Sequence, residues 1–170
     1  MRYTSAEANK LLKGLEARIA DLKKKENKSC SFHAASTEDP ETLRPAYDFE
    51  DTQKQIAALE QDVRTVKHAI NVFNVTHTLP GFDDMTIDCA LIYLPQLSNR
   101  VRKLQEMAAA LPRERVDSFR SNIIDYVIAN YDIADAEKAY HAEQEKLNAI
   151  QIALDAANSG DTMEIDVSLA

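Results

Sequence analysis

A chain of 170 residues with 28% charged side chains, 3 glycines and no tryptophan is the size of one domain able to bury a real core. Its shortage of glycine weighs against a sandwich or barrel of many short strands. The formal net charge of −8 makes the molecule as a whole repel nucleic acid and anionic membrane at neutral pH, and abundant Ala, Leu, Glu, Lys and Gln point to long helices.

The first predicted helix runs from about Ser5 to about Asn27. Thr4 followed by Glu7 fits a capping box, in which each side chain satisfies the other's free backbone donor. Ala8, Leu12, Leu15, Ile19 and Leu22 recur at steps of four and three, which is a heptad seam. Between Lys28 and Pro40 the pattern breaks, and Cys30 with Phe32 is compatible with a short strand or an ordered loop. Asp39 before Pro40 is a helix start, with Asp as cap and Pro in the first turn, and Pro45 disturbs this opening. The second long helix carries the strongest seam: Ile56, Leu59, Val63, Val66, Ile70 and Phe73, extended backwards by Thr52 and Phe49. At about 30 residues it exceeds the first, at about 23, so part of its stripe would need a partner outside the chain. Pro80-Gly81 then signals a reversal.

A third helix is predicted from about Asp84 to Leu111, with Ile87, Ala90, Leu94, Leu97, Val101, Leu104, Ala108 and Leu111 on its seam. Pro95 inside it removes one hydrogen bond, and Pro112 stops it. The run Ile123, Ile124, Tyr126, Val127 and Ile128 is β-branched and aromatic, which favours a strand. Asp132 caps a fourth helix to about Ala157, with Ile133, Ala136, Tyr140, Glu143, Leu147, Ile150, Leu154 and Ala157 on its seam; Glu143 is the one charge there. Met163, Ile165 and Val167 alternate with Glu164 and Asp166 as a second strand. The helix between the two strands, at about 26 residues, is too long for them to return and pair directly, so pairing needs the chain to fold back elsewhere or the partner strand to come from another subunit.

The expected fold is therefore mainly α: long antiparallel helical hairpins or a coiled-coil bundle forming a single domain over residues 1–170. A small β element is expected at about 122–130 and 162–167.

Candidate chemistry is sparse. His141 lies four residues after Glu137 and two before Glu143; the i, i+4 pair shares one helical face and suits a metal ligand pair or a local hydrogen bond. A di-iron bundle needs a second such pair on another helix, and the sequence has none. His68 lies off the seam, one turn after Arg64. Asp83, Asp84 and Asp88 cluster at the predicted third-helix start, where the helix dipole accounts for them. Cys89 beside the seam suits a small buried residue, and Cys30 and Cys89 lack the spacing of a disulfide framework. Lys23, Lys24 and Lys25 read as a solvated helix end. Tyr126 and Tyr131, with Phe119, suggest packing rather than a nucleic-acid stacking surface, because Asp125 and Asp132 adjoin them. No catalytic, cofactor-binding or metal-ligating residue is assigned, and no cofactor is implied. The longest apolar run, Cys89 to Leu94, falls far short of the ~20 residues of a spanning helix, and no signal-like core follows Met1. A cytoplasmic protein is expected.

The order of these features resembles a family of small bacterial helical proteins known as septicolysin-like. The resemblance rests on the opening helix around Leu11-Leu12, Glu38-Asp39-Pro40, Ile70-Asn71 with Asn74, and Thr86 leading to Ala90-Leu91. It continues through the β-branched run before Asp132, the last long helix and the short terminal strand. What it implies is a membrane-active cytolysin, with no catalytic residues attached. The residues themselves favour a non-enzymatic coiled-coil protein: a self-associating scaffold or adaptor, a homo-oligomer with a possible further protein partner. A metal-dependent enzyme in a helical bundle is the third reading.

Overall fold

The computed structural model describes residues 1–116 and 124–167. The described chain is mainly helical, with three small antiparallel strand pairs. In order the elements are β1 (Arg2–Thr4), α1 (Ser5–Ser29), α2 (Pro40–Leu43), α3 (Phe49–Thr76), β2 (Thr78–Leu79) and β3 (Phe82–Thr86). They continue with α4 (Ile87–Ala108), β4 (Arg113–Val116), β5 (Asp125–Ile128), α5 (Ile133–Gly160) and β6 (Thr162–Glu164). Two compact units divide the chain: Met1–Asn74 with Asn158–Ala170, and Val75–Ala157.

In the first unit, the predicted capping box opens α1. The Thr4 hydroxyl accepts from the Glu7 N–H at 3.2 Å, and the Glu7 carboxylate accepts from the Thr4 N–H at 2.9 Å. The Thr4 N–H, joined by the Thr4 hydroxyl donating to the same oxygen at 3.0 Å, favours the ionised carboxylate and holds Glu7 below the usual carboxylate range. Ala8 and Leu15 of the predicted seam are buried, and Leu12, Ile19 and Leu22 are half-buried. On α3 the agreement is closer: Ile56, Leu59, Val66, Ile70 and Phe73 are buried and Val63 half-buried. Two ion pairs tie the helices, Glu16–Lys67 and Lys23–Glu60, both at 2.9 Å. The pairs step seven residues up α1 and seven back along α3, so the two helices run in opposite directions. Their lengths, 25 and 28 residues, are nearly equal. The surplus stripe expected on the second helix is correspondingly small.

The connector between them has no strand at Cys30–Phe32. Asp39 caps the single turn α2, accepting from the Glu41 N–H at 3.0 Å, and the firm helix begins only at Phe49. Pro45 accounts for the gap, since a residue before proline is pushed out of the helical region; Arg44 is extended, with ψ 118°. The unit is closed by β1 and β6, paired with Arg2 opposite Glu164, Tyr3 opposite Met163 and Thr4 opposite Thr162. Met163 and Ile165 are buried while Glu164 and Asp166 are exposed, the alternation the sequence predicts.

In the second unit, Pro80-Gly81 makes the turn of a hairpin. Gly81 has φ +81°, a left-handed conformation that an L side chain rarely adopts, and it lets β2 reverse into β3. The strand β3 takes up Asp83 and Asp84, so α4 starts three residues later than predicted. Its cap is Thr86, whose hydroxyl accepts from the Cys89 N–H at 3.2 Å. Helix α4 continues through Pro95; Leu91 and Pro95 are both on its exposed face, where water can meet the carbonyl that proline leaves without a donor. Ile87, Ala90, Leu97 and Val101 are buried, while Leu111, predicted as the last seam residue, lies beyond the helix end and is exposed. On α5, capped by Asp132, Ala136, Leu147, Ile150 and Ala157 are buried. Glu143, the charge on the seam, is met by Arg100 of α4 at 3.4 Å, and Lys146 lies 5.2 Å from the Tyr93 ring centroid. A hydrogen bond with Tyr93 raises the Lys146 pKa.

Both predicted strands form, but neither pairs with the other; each finds a neighbour within the chain. The terminal strand finds Arg2–Thr4, and Asp125–Ile128 finds Arg113–Val116. The first residues of the predicted strand, 122 and 123, lie outside the described residues. Leu15 and Leu97 are 2% and 0% exposed. Replacing either with Ala should lower the unfolding free energy by about 2–5 kcal/mol. Ile152→Ala, at an exposed position, should change it by less than ~0.5 kcal/mol. Urea denaturation of the three variants checks this.

Candidate functional site

The connector from Cys30 to Asp48 is organised by polar contacts that the sequence does not advertise. The Arg44 guanidinium forks onto the Glu41 carboxylate at 2.9 and 2.6 Å and sits 5.5 Å from the Phe32 ring centroid. That hydrogen-bonded pairing holds Glu41 below the ordinary carboxylate range and raises Arg44. Glu26 on α1 accepts from the Tyr47 hydroxyl and from the Gln53 amide, each at 2.6 Å on the same Oε1. The Glu26 bond favours the neutral phenol, and Tyr47 is pushed up to about 12. Nearby, between α1 and α3, opens a cleft of about 310 Å³. Leu22, Ala58 and Leu59 supply apolar walls, and Arg18 and Lys25 face Asp21 and Asp62. Two cations against two anions give the cleft no net preference for a charged ligand.

The second feature is the β4–β5 hairpin. Arg113 pairs with Ile128, Glu114 with Val127, Arg115 with Tyr126 and Val116 with Asp125. Because cross-strand partners share a face and neighbours along a strand alternate, one face carries Arg113, Arg115, Tyr126 and Ile128. The other carries Glu114, Val116, Asp125 and Val127. All eight residues are exposed, Val127 to 59% and Ile128 to 67%. The Arg113 guanidinium lies 3.5 Å from the Tyr126 ring centroid, a cation–π contact.

The structure does not bring the residues singled out from sequence into one site. His141 is exposed and packs its ring against Tyr140 at 5.2 Å, while Glu143 turns to Arg100. Among the described residues, no group of three or more His, Cys, Asp or Glu is placed to hold a metal ion. His33 and His68 are exposed; the His77 carbonyl accepts from the Ile87 N–H at 2.9 Å. Asp83 and Asp84 belong to β3 and only Asp88 to the first turn of α4, which corrects their assignment to a helix start. Cys89 is exposed, not buried; it lies one residue before Ala90, where the seam turns inward. Lys23 bonds Glu60 rather than solvent alone, and α1 runs on to Ser29 beyond the lysine run. The Tyr131 hydroxyl donates to the Met107 carbonyl at 2.9 Å, Tyr126 is exposed, and Phe119 lies outside the described residues. What the sequence missed is Glu26 and Arg113. Each meets a partner more than ten residues away in sequence, and no periodic signal links the two positions.

No family model matches the chain, and no curated protein does. Its fold is similar to that of a functionally unknown conserved protein from Corynebacterium diphtheriae, with a TM-score of 0.57 over 96% of this chain and 100% of that one. The two are 16% identical, so the likeness is one of fold.

The unfolded phenol titrates near ~10, so the contact of Tyr47 with Glu26 is fully present below that pH and is lost as pH rises through about 12. Spectrophotometric titration should show one of the six tyrosines ionising last, near that value, and Tyr47→Phe should abolish that step.

Proposed function

We propose that this chain is a non-enzymatic helical scaffold or adaptor that self-associates, built from two antiparallel helical hairpins of coiled-coil type. The observation that carries the reading is the coincidence of the heptad seam with burial on α3, flanked by ion pairs one heptad apart on both helices. Heptad-spaced burial with charged flanks is the arrangement that holds rods side by side. The Tyr93–Lys146 and Arg100–Glu143 contacts tie α4 to α5 in the same antiparallel sense. Polar side chains that elsewhere carry chemistry are here engaged in holding elements together: Glu26, Glu41, Glu143 and Asp132 each accept structural hydrogen bonds. Self-association is supported by apolar side chains left exposed at Ile124, Tyr126, Val127 and Ile128.

The septicolysin-like resemblance supports a second reading, a cytolysin whose helices rearrange on lipid. Among the described residues no helix is long and apolar enough to cross a membrane, so such an activity would need refolding at the bilayer, against a net charge of −8.

A folded oligomer is stabilised by mass action. The melting temperature should therefore rise with protein concentration, and a value constant over a hundredfold range, about the span of ordinary assays, would count against self-association. Liposomes loaded with dye should retain it at micromolar protein; release would favour the cytolysin.

A further inference from the structure

We propose that the outer edge of β5 pairs with the same edge of a second copy. The strands run antiparallel about a two-fold axis through Tyr126, giving a four-stranded sheet in the order β4, β5, β5, β4. The proposal rests on the self-association reading above and supplies its surface.

Four observations lead there. First, every residue of β4 and β5 is exposed, and a two-stranded hairpin standing alone in water is marginal, whereas three or more strands hold. No third strand joins it among the described residues.

Second, the backbone is oriented for pairing. The Ala129 N–H donates to the Pro112 carbonyl at 3.2 Å, which turns residue 129, and by alternation 127 and 125, toward β4. Tyr126 and Ile128 therefore aim their N–H and C=O groups outward. A two-fold at Tyr126 sets Tyr126 opposite Tyr126 and Ile124 opposite Ile128, the outward-facing residues on both copies.

Third, the two edges differ in charge. Strand β4 reads Arg-Glu-Arg-Val. Paired with its own copy about Glu114 or Arg115, it sets like charges directly opposite, which destabilises a sheet. Strand β5 reads Asp-Tyr-Val-Ile, and pairing about Tyr126 leaves Asp125 opposite Val127 with no like charges in register. Aromatic and β-branched cross-strand pairs stabilise.

Fourth, the assembly closes. Natural sheets guard their edges with charge, and here only β4 is guarded. Pairing through β5 leaves a charged β4 on each outer edge, so growth stops at a closed two-fold dimer. A lipid surface fits the hairpin less well, because Glu114 and Asp125 share one face.

The test uses the full chain. At roughly tens of micromolar, near the affinities of transient dimers, sedimentation should give a dimer. Ile128→Pro removes an outward N–H without touching one that bonds β4, and should weaken the dimer Kd by at least about tenfold with unchanged helical circular dichroism. In a Cys30→Ser, Cys89→Ser background, Tyr126→Cys should form a reducible dimer on mild oxidation, whereas Arg115→Cys should not. Cross-linking decides the matter if Ile128→Pro fails to fold. A wild-type monomer would overturn both this proposal and the self-association reading. A dimer unaffected by Ile128→Pro and not captured through Tyr126→Cys would overturn the β5 edge alone. Binding of the monomeric chain to phosphatidylserine vesicles through the hairpin would also overturn it.

Discussion

A single constraint organises the helical part of this protein: apolar side chains recurring at alternating steps of three and four must share one face of a helix, and that face must be kept from water. On α3 the six predicted seam residues from Ile56 to Phe73 are all buried or half-buried, and the same holds for α5 from Ile133 to Ala157. Each such side chain contributes roughly 1.5–3 kcal/mol relative to exposure, whereas the exposed ion pairs that flank it contribute ~0–1 kcal/mol. Burial therefore supplies the stability. Glu16–Lys67 and Lys23–Glu60 add direction and register, because only the antiparallel arrangement brings both pairs together at once.

The strand pairs differ in what they depend on. The β2–β3 hairpin is local and follows from Pro80-Gly81. The β1–β6 pair joins residues more than 150 apart in sequence, and buried Met163 and Ile165 fasten it. The β4–β5 hairpin is different, since its described residues have no burial to hold them. It places cations on one face, anions on the other and apolar groups on both.

Several polar side chains join one element to another. Glu143 interrupts the seam of α5 yet is accommodated because Arg100 reaches it. Glu26 gathers Tyr47 and Gln53 onto one oxygen and so fixes how the connector re-enters α3. The fold shared with the Corynebacterium diphtheriae protein at 16% identity accords with this. A pattern of apolar spacing survives extensive change in residue identity, because packing demands hydrophobic volume at given positions more than particular side chains.

Local rules read in the sequence determined the helices, their caps at Thr4, Asp39 and Asp132, the turn at Gly81 and the alternating strand at 162–164. Each depends on residues within one or two turns of one another. Tertiary structure alone decided which strands pair, that Asp83 and Asp84 join a strand, and that Cys89 faces solvent. It also decided that Arg2–Thr4 and Arg113–Val116 are strands at all. Three residues of Arg-Tyr-Thr or four of Arg-Glu-Arg-Val are too short and too polar to carry a periodic signal, and they become strands because a β-prone segment far along the chain offers them a hydrogen-bonding edge.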